Sequence, residues 1–233
     1  MRIAALWSFI AAAPAPGQFL PQSQARTPEE FDAYLDVVEA KPGDRARHAR
    51  RFLSAYPDSD MRLRVYEVLA EACRDGGDAA CAREAAAAGL KLAPDYVPLL
   101  TLAASIEANT SAAPDPGAAE RALALLDRLK APRTVDAATW RRETARLRAE
   151  NLASLGIVAF KRDDLAGAIR RMEESIRLQP AAANEYRLAM LYIEAGRPAE
   201  ARPLLERAAA QGEEPLRSRA AAALDALNRR GSR

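Results

Sequence analysis

Cys73 and Cys81 are the pair of residues in this sequence best placed to do covalent chemistry. They flank the turn signal Gly77-Asp78, so one falls near the end of a helical segment and the other near the start of the next. That placement permits the short separation a disulfide needs. In an oxidising compartment a bridge there would close a small loop and contribute on the order of 2–3 kcal/mol. The alternative is two small buried residues. The single histidine, His48, lies inside the run Arg45-Ala46-Arg47-His48-Ala49-Arg50-Arg51. A general base is one reading of it, and a solvated helix face is the other. The same run makes Arg45, Arg47, Arg50 and Arg51 a candidate basic patch for an acidic protein or anionic polymer, again set against a solvated face. No phosphate-cradling glycine loop, metal-ligand cluster or nucleophile elbow occurs. The expectation is therefore no catalytic residue, no cofactor and no metal. The many Asp and Glu residues belong on the wet faces of amphipathic helices, as partners for Arg.

Composition describes the elements that must carry these groups. Hydrophobic residues make up 49% of the chain, aromatics only 6% and charged residues 28%. Rich in Ala and Leu, such a chain suits helices packed through small side chains and ill suits a β-rich core. Lys and Arg total 34 against 32 Asp and Glu, leaving a net charge of +2. That is too small for a whole-protein field directed at nucleic acid or an anionic membrane, so no nucleic-acid partner is expected.

Arg2 precedes an apolar run from Ile3 to Ala13, long enough for a signal sequence and short of the ~20 residues that span a bilayer. Ser23 and Ala25 place small side chains before Arg26, where cleavage would remove residues 1–25. The expectation is an exported, periplasmic protein without a transmembrane segment. Ala13 and Ala15 offer an earlier cut, and a cytosolic protein with an apolar tail is the alternative.

Thr27-Pro28-Glu29-Glu30 reads as a helix start with a capping box. The helix after it places Phe31, Leu35 and Val38 on one stripe, with Tyr34 beside them, and Pro42-Gly43 ends it. A second helix carries Phe52 and ends at Tyr56-Pro57, giving a first hairpin over residues 26–59. Beyond it the pairs Ala70/Ala82, Gly156/Ala168 and Ala189/Ala201 share one separation, 12 positions. Pro94 and Pro180 follow Ala82 and Ala168 at the same interval. Two antiparallel helices that pack closely need one small residue on each where their axes come nearest.

With large residues at Tyr66, Leu69, Leu152, Leu155, Leu188 and Tyr192 and turns at Gly77-Asp78, Asp163-Asp164 and Gly196-Arg197, residues 60–211 resemble the tetratricopeptide repeat family, whose hairpins recur at about 34 residues. Tyr56-Pro57-Asp58-Ser59 also resembles repeats of bacterial cell-envelope assembly proteins. The first resemblance implies an all-α, right-handed solenoid of antiparallel hairpins. In that family first-helix positions line the inner face and bind protein or peptide partners. Carried across, they are Arg64, Glu67, Glu71 and Arg74, then Ala153, Ile157 and Phe160, then Tyr186, Met190 and Ile193. The implied groove is charged at one end and apolar at the other. Cys73 stands where the family often has an aromatic residue.

The pattern is interrupted twice, by insertions at 109–117 and 131–148. The first is expected to bulge, with Asp115-Pro116 starting a helix, and the second to extend one long helix from Asp136 to Arg162. Pro203 is expected to kink its helix. Residues 212–233 are expected to cap the stack, with Leu216, Ala220, Leu224 and Leu227 inward and a frayed tail from Arg229. The functional expectation is a non-catalytic scaffold or adaptor. A structural accessory subunit of a cell-envelope assembly is the alternative, and an enzyme a distant third. The oligomeric state is not legible.

Overall fold

The computed structural model describes residues 24–132 and 135–231, so the apolar run at 3–13 and Ser23 lie outside the described residues. Among those described the chain is all helical: α1 (Pro28–Glu39), α2 (Pro42–Ala55), α3 (Arg62–Asp75), α4 (Ala79–Leu92), α5 (Val97–Thr110), α6 (Gly117–Leu126), α7 (Ala137–Lys161), α8 (Leu165–Leu178), α9 (Ala182–Glu194), α10 (Pro198–Gln211) and α11 (Leu216–Gly231). Successive pairs pack as five hairpins, and α11 closes the far end against α10 and α9.

The repeat is written into the turns. Gly77, Asp163 and Gly196 each stand seven positions after the small residue of their first helix, and each has positive φ, at 79°, 61° and 72°. The next amide closes the helix end in the same way each time: Asp78 N–H donates to Cys73 O, Asp164 to Ala159 O and Arg197 to Tyr192 O, at 2.8 to 2.9 Å. Asp tolerates the left-handed region better than most side chains, which is how Asp163 substitutes for glycine. Asp78 and Asp164 then cap the second helices by accepting from Cys81 N and Gly167 N.

Ala70, Ala82, Ala168, Ala189 and Ala201 are completely buried. A Cβ added to Gly156 would meet Met172 Cε at 3.3 Å and Ala168 O at 3.4 Å, as close axes require. A fourth pair has the same separation. Val37 and Ala49 are both fully buried, 12 positions apart, and set the register of the first hairpin.

That register corrects the inward stripe expected for α1. Val37 and Tyr34 face the core, Tyr34 meeting Phe52 edge-on at 6.3 Å, while Phe31 is 47% and Val38 38% exposed. Two adjacent apolar stripes run along α1, and α2 offers room for one. Pro42 and Gly43 likewise begin α2 instead of ending α1, because proline suits the first helical turn.

Thr27 caps α1 as expected, its hydroxyl accepting from Glu30 N at 3.2 Å. The Glu30 carboxylate reaches one residue further back, accepting from Arg26 N at 2.6 Å. Burial pushes this carboxyl up, but hydrogen bonds from Ser59 and the Arg26 and Thr27 backbone, with the Arg26 charge, leave it below its ordinary value. A depressed folded pKa gives stability that is present above the unfolded value and lost as pH falls through the folded one. Thermal melts should therefore show Glu30→Gln less sensitive than wild type across the acid limb below the ordinary carboxylate range. Thr27→Ala should cost about 1 kcal/mol throughout.

The third hairpin is the stretched one. Ala104 and Ala119 pack in one small cluster but stand 15 positions apart, three more than elsewhere. The segment between α5 and α6 does not bulge freely. Pro114 is buried, Arg162 donates to Pro114 O, and Lys161 Nζ donates to Ala108 O and Ser111 O at 2.8 and 2.7 Å. The end of α7 thus holds the insertion down. The helix α6 starts at Gly117, whose N–H is accepted by Asp115, one residue later than a first-position Pro116 would give.

The long helix α7 is capped by Asp136, which accepts from Ala138 N and Thr139 N. It reaches back to α5, where buried Asn151 donates to Thr101 Oγ1 at 2.7 Å. Leu147 joins Val97, Leu100, Ala122 and Leu126 in a core that bridges two larger ones, which serve α1–α5 and α7–α11. The helix α10 runs through Pro203 from Pro198 to Gln211. Ala220 is fully buried, and Leu224 and Leu227 pack on the second core, as a capping helix requires. The same helix continues past Arg229 to Gly231.

Candidate partner-binding groove

Hairpin packing consumes one face of each first helix and leaves another free. On α7 and α9 the free faces bring Ile157, Phe160, Tyr186 and Met190 together around a concavity of about 430 Å³. Phe160 is 47% and Met190 40% exposed there. Ile193 lies outside it. With Met190 it lines a neighbouring hollow of about 720 Å³ walled by Pro198 and by Ala223 and Leu227 of α11. The capping helix therefore covers the Ile193 edge and leaves Phe160 and Met190 open. Ala153 is 5% exposed and buried in the second core, so it offers a partner no side-chain surface. Its methyl is needed where α7 packs.

The charged end is largely self-satisfied. Arg64 pairs with Glu67 at 2.5 Å and donates to Tyr96 Oη at 2.8 Å, and the Tyr96 hydroxyl donates to Glu67 at 2.7 Å. Burial first, then the Glu67 charge, push the Tyr96 hydroxyl well above its ordinary range. Glu71 beside them is exposed but partly shielded from water by its neighbours, and that desolvation, then the Glu67 charge, raise its carboxyl. Arg74 pairs with Asp75 at 2.9 Å. The start of α7 faces this network: Thr139, Trp140 and Glu143 share with Arg64 and Glu67 the lining of a 300 Å³ hollow. Arg64 and Glu67 are thus structural, and Glu71 and Arg74 stay at the surface.

Arg187 is the residue the sequence reading missed. It donates to Asn184 Oδ1 at 3.0 Å and Asn109 Oδ1 at 3.2 Å, tying α9 to the end of α5 across 78 positions. Burial pulls its guanidinium below the ordinary value. It lines both the apolar concavity and a 350 Å³ hollow beside Arg74. Nothing local marks it, since its partner Asn109 sits in the first insertion.

Cys73 and Cys81 form a disulfide, with Cα atoms 5.8 Å apart. Arg50 leans on it, Nη2 lying 3.0 Å from Cys81 Sγ. The other arginines of the candidate patch differ in their partners. Arg47 pairs with Asp44 at 2.9 Å, Arg45 donates to Ala40 O, and Arg51 is exposed one helical turn beyond Arg47. His48 is half-buried among them. Among the described residues no three His, Cys, Asp or Glu side chains are grouped to hold a metal ion. No helix of theirs is long and apolar enough to cross a membrane.

No family model matches the chain, and no curated protein matches it. Solved structures do. A thermophilic tetratricopeptide protein of Thermus thermophilus, TTC0263, is 19% identical, with 84% of this chain and 98% of that one covered and a TM-score of 0.55. MamA from Desulfovibrio magneticus RS-1 is 14% identical over 81% of this chain and 100% of that one, with a TM-score of 0.52. The Cut9-Hcn1 hetero-tetramer of the APC/C gives a TM-score of 0.60 at 18% identity, covering 84% of this chain but 35% of that one. With eleven helices among the described residues, a hairpin register shared by four pairs and these neighbours, the fold is the helical solenoid of tetratricopeptide repeat proteins.

Proposed function

We propose that this protein is a non-catalytic interaction scaffold that takes a protein or peptide in the groove between α7 and α9. One observation carries the reading: Phe160 and Met190, large apolar side chains at 47% and 40% exposure, converge on one concavity instead of being scattered. Clustered apolar exposure marks interaction sites, and buried anchors supply most of the affinity. The Arg187 guanidinium at the rim adds a polar group whose present partners are neutral amides, which suits selectivity more than affinity. With a net charge of only +2, the partner we infer is protein and not nucleic acid. We place the working molecule outside the cytoplasm, cleaved near Ala25. Support comes from the apolar run behind Arg2 and from a disulfide that an oxidising compartment would keep closed.

A photo-crosslinking residue at Phe160 should trap the partner, and one at Leu178, comparably exposed on α8, should not. Joint replacement Phe160→Glu and Met190→Glu should weaken the captured partner by roughly thirtyfold, about 2 kcal/mol. Helical circular dichroism should stay unchanged. Equal crosslinking at both positions, or undiminished binding by the double variant, would overturn the groove.

A further inference from the structure

Among the described helices, α1 alone joins two features on one exposed face. Phe31, Leu35 and Val38 form a stripe at helical spacing, with Phe31 and Val38 exposed. Beside it run Asp32, Asp36 and Glu39, whose carboxylates have no hydrogen bond or ion pair among the described residues. The helix contains no basic residue, and Glu39 stands in the last turn, where the helix dipole favours a cation. Like charges one turn apart also repel. Isolated in water, this row lowers helix stability, and positive charge laid along it would reverse the sign.

The hairpin register locates the face. Placing Val37 opposite Ala49 puts Phe31 and Val38 where Arg64 and Glu71 stand on α3, 33 positions later. Phe31 and Val38 therefore continue the series of inner-face positions, and the groove surface is apolar at this end as well as at Phe160. By the same register Asp32 and Asp36 occupy the positions of Val65 and Leu69, which are buried at 0% and 6% in the first core. A stacking face as apolar as the one that covers Val65 and Leu69 would bury those carboxylates unpaired at a prohibitive cost, so whatever covers α1 must bring positive charge. The chain's own leading segment does not suit, since Arg2 is its one cation before Arg26.

We propose that α1 is a docking surface for a cationic amphipathic segment of another protein, with apolar side chains on Phe31, Leu35 and Val38 and Lys or Arg over Asp32, Asp36 and Glu39. It is a second surface, separate from the α7–α9 groove, and stands or falls independently of it. Charge complementarity selects this occupant, because a neutral or acidic helix would leave three carboxylates unpaired at the rim.

A displayed random-peptide library panned on the full-length chain tests this. Expected are peptides with apolar residues at helical spacing and net positive charge. They should lose binding to Phe31→Ser with Val38→Ser, and weaken roughly tenfold on Asp32→Asn, Asp36→Asn and Glu39→Gln or in high salt. They should still bind Phe160→Glu with Met190→Glu. All substituted α1 positions are exposed, so circular dichroism should report an intact fold for each variant. The proposal is overturned if no such peptide is enriched, if the enriched peptides are neutral or acidic, or if binding ignores the α1 variants. Sedimentation showing a dimer that Phe31→Ser dissociates would also overturn it, with a second copy as the occupant.

Discussion

Phe52→Ala is expected to lower stability by about 3–5 kcal/mol, while Phe31→Ala, in the same hairpin, should stay within about 0.5 kcal/mol of wild type. Phe52 is 1% exposed and sits between Tyr34 at 6.3 Å and Tyr56 at 5.2 Å, so truncation removes contacts on several sides and leaves a void. Phe31 is 47% exposed and its ring is largely in water already. Urea unfolding of the two variants separates the observed α1 register from the one expected of its apolar pattern. Equal losses would mean that Phe31 packs inward and that Val37 is not the residue facing Ala49.

Opening the Cys73–Cys81 bridge should cost roughly 2–3 kcal/mol in the chain-entropy account of a loop this short. The effect should be concentrated in one hairpin. Repeat units are stabilised by their own packing and by their neighbours, so losing a tether between α3 and α4 loosens those helices first and the α7–α11 half least. Hydrogen exchange with and without reductant reads this directly, with faster exchange expected at the end of α3 and start of α4. The double variant Cys73→Ala, Cys81→Ala should match the reduced protein and ignore reductant. Coincident unfolding curves for oxidised and reduced protein would remove the bridge from the stability of this fold.

Most of the architecture could be read from residue spacing, because the repeat's demands are local. A small residue on each helix, a residue tolerant of positive φ seven places on and a capping Asp can all be seen within one hairpin. All three held for Ala70/Ala82 and Gly156/Ala168, and the first two for Ala189/Ala201, where Arg197 stands in place of the capping Asp; the limits of α7 likewise follow from Asp136 and the lack of a proline before Arg162. The stripe on α1 is ambiguous in the sequence itself. Tyr34/Val37 and Phe31/Leu35/Val38 are both legitimate helical stripes, and periodicity cannot say which one a neighbour covers.

The surfaces were less legible than the fold, since exposure depends on what other elements do. Ala153 occupies a groove position by register but is buried, and Arg64 and Glu67 are tied up by Tyr96 from the next hairpin. Arg187 became visible only when α9 was laid against Asn109. By itself the sequence determined the helices, their pairing and the apolar side chains around Phe160 and Met190, because caps, turns and small-residue contacts act within a few tens of residues. Tertiary structure alone decided which apolar stripe of α1 faces water, how α7 pins the first insertion and walls the charged end, and where α11 stops covering the groove. Those outcomes depend on contacts between residues distant in the chain, and no local pattern records them.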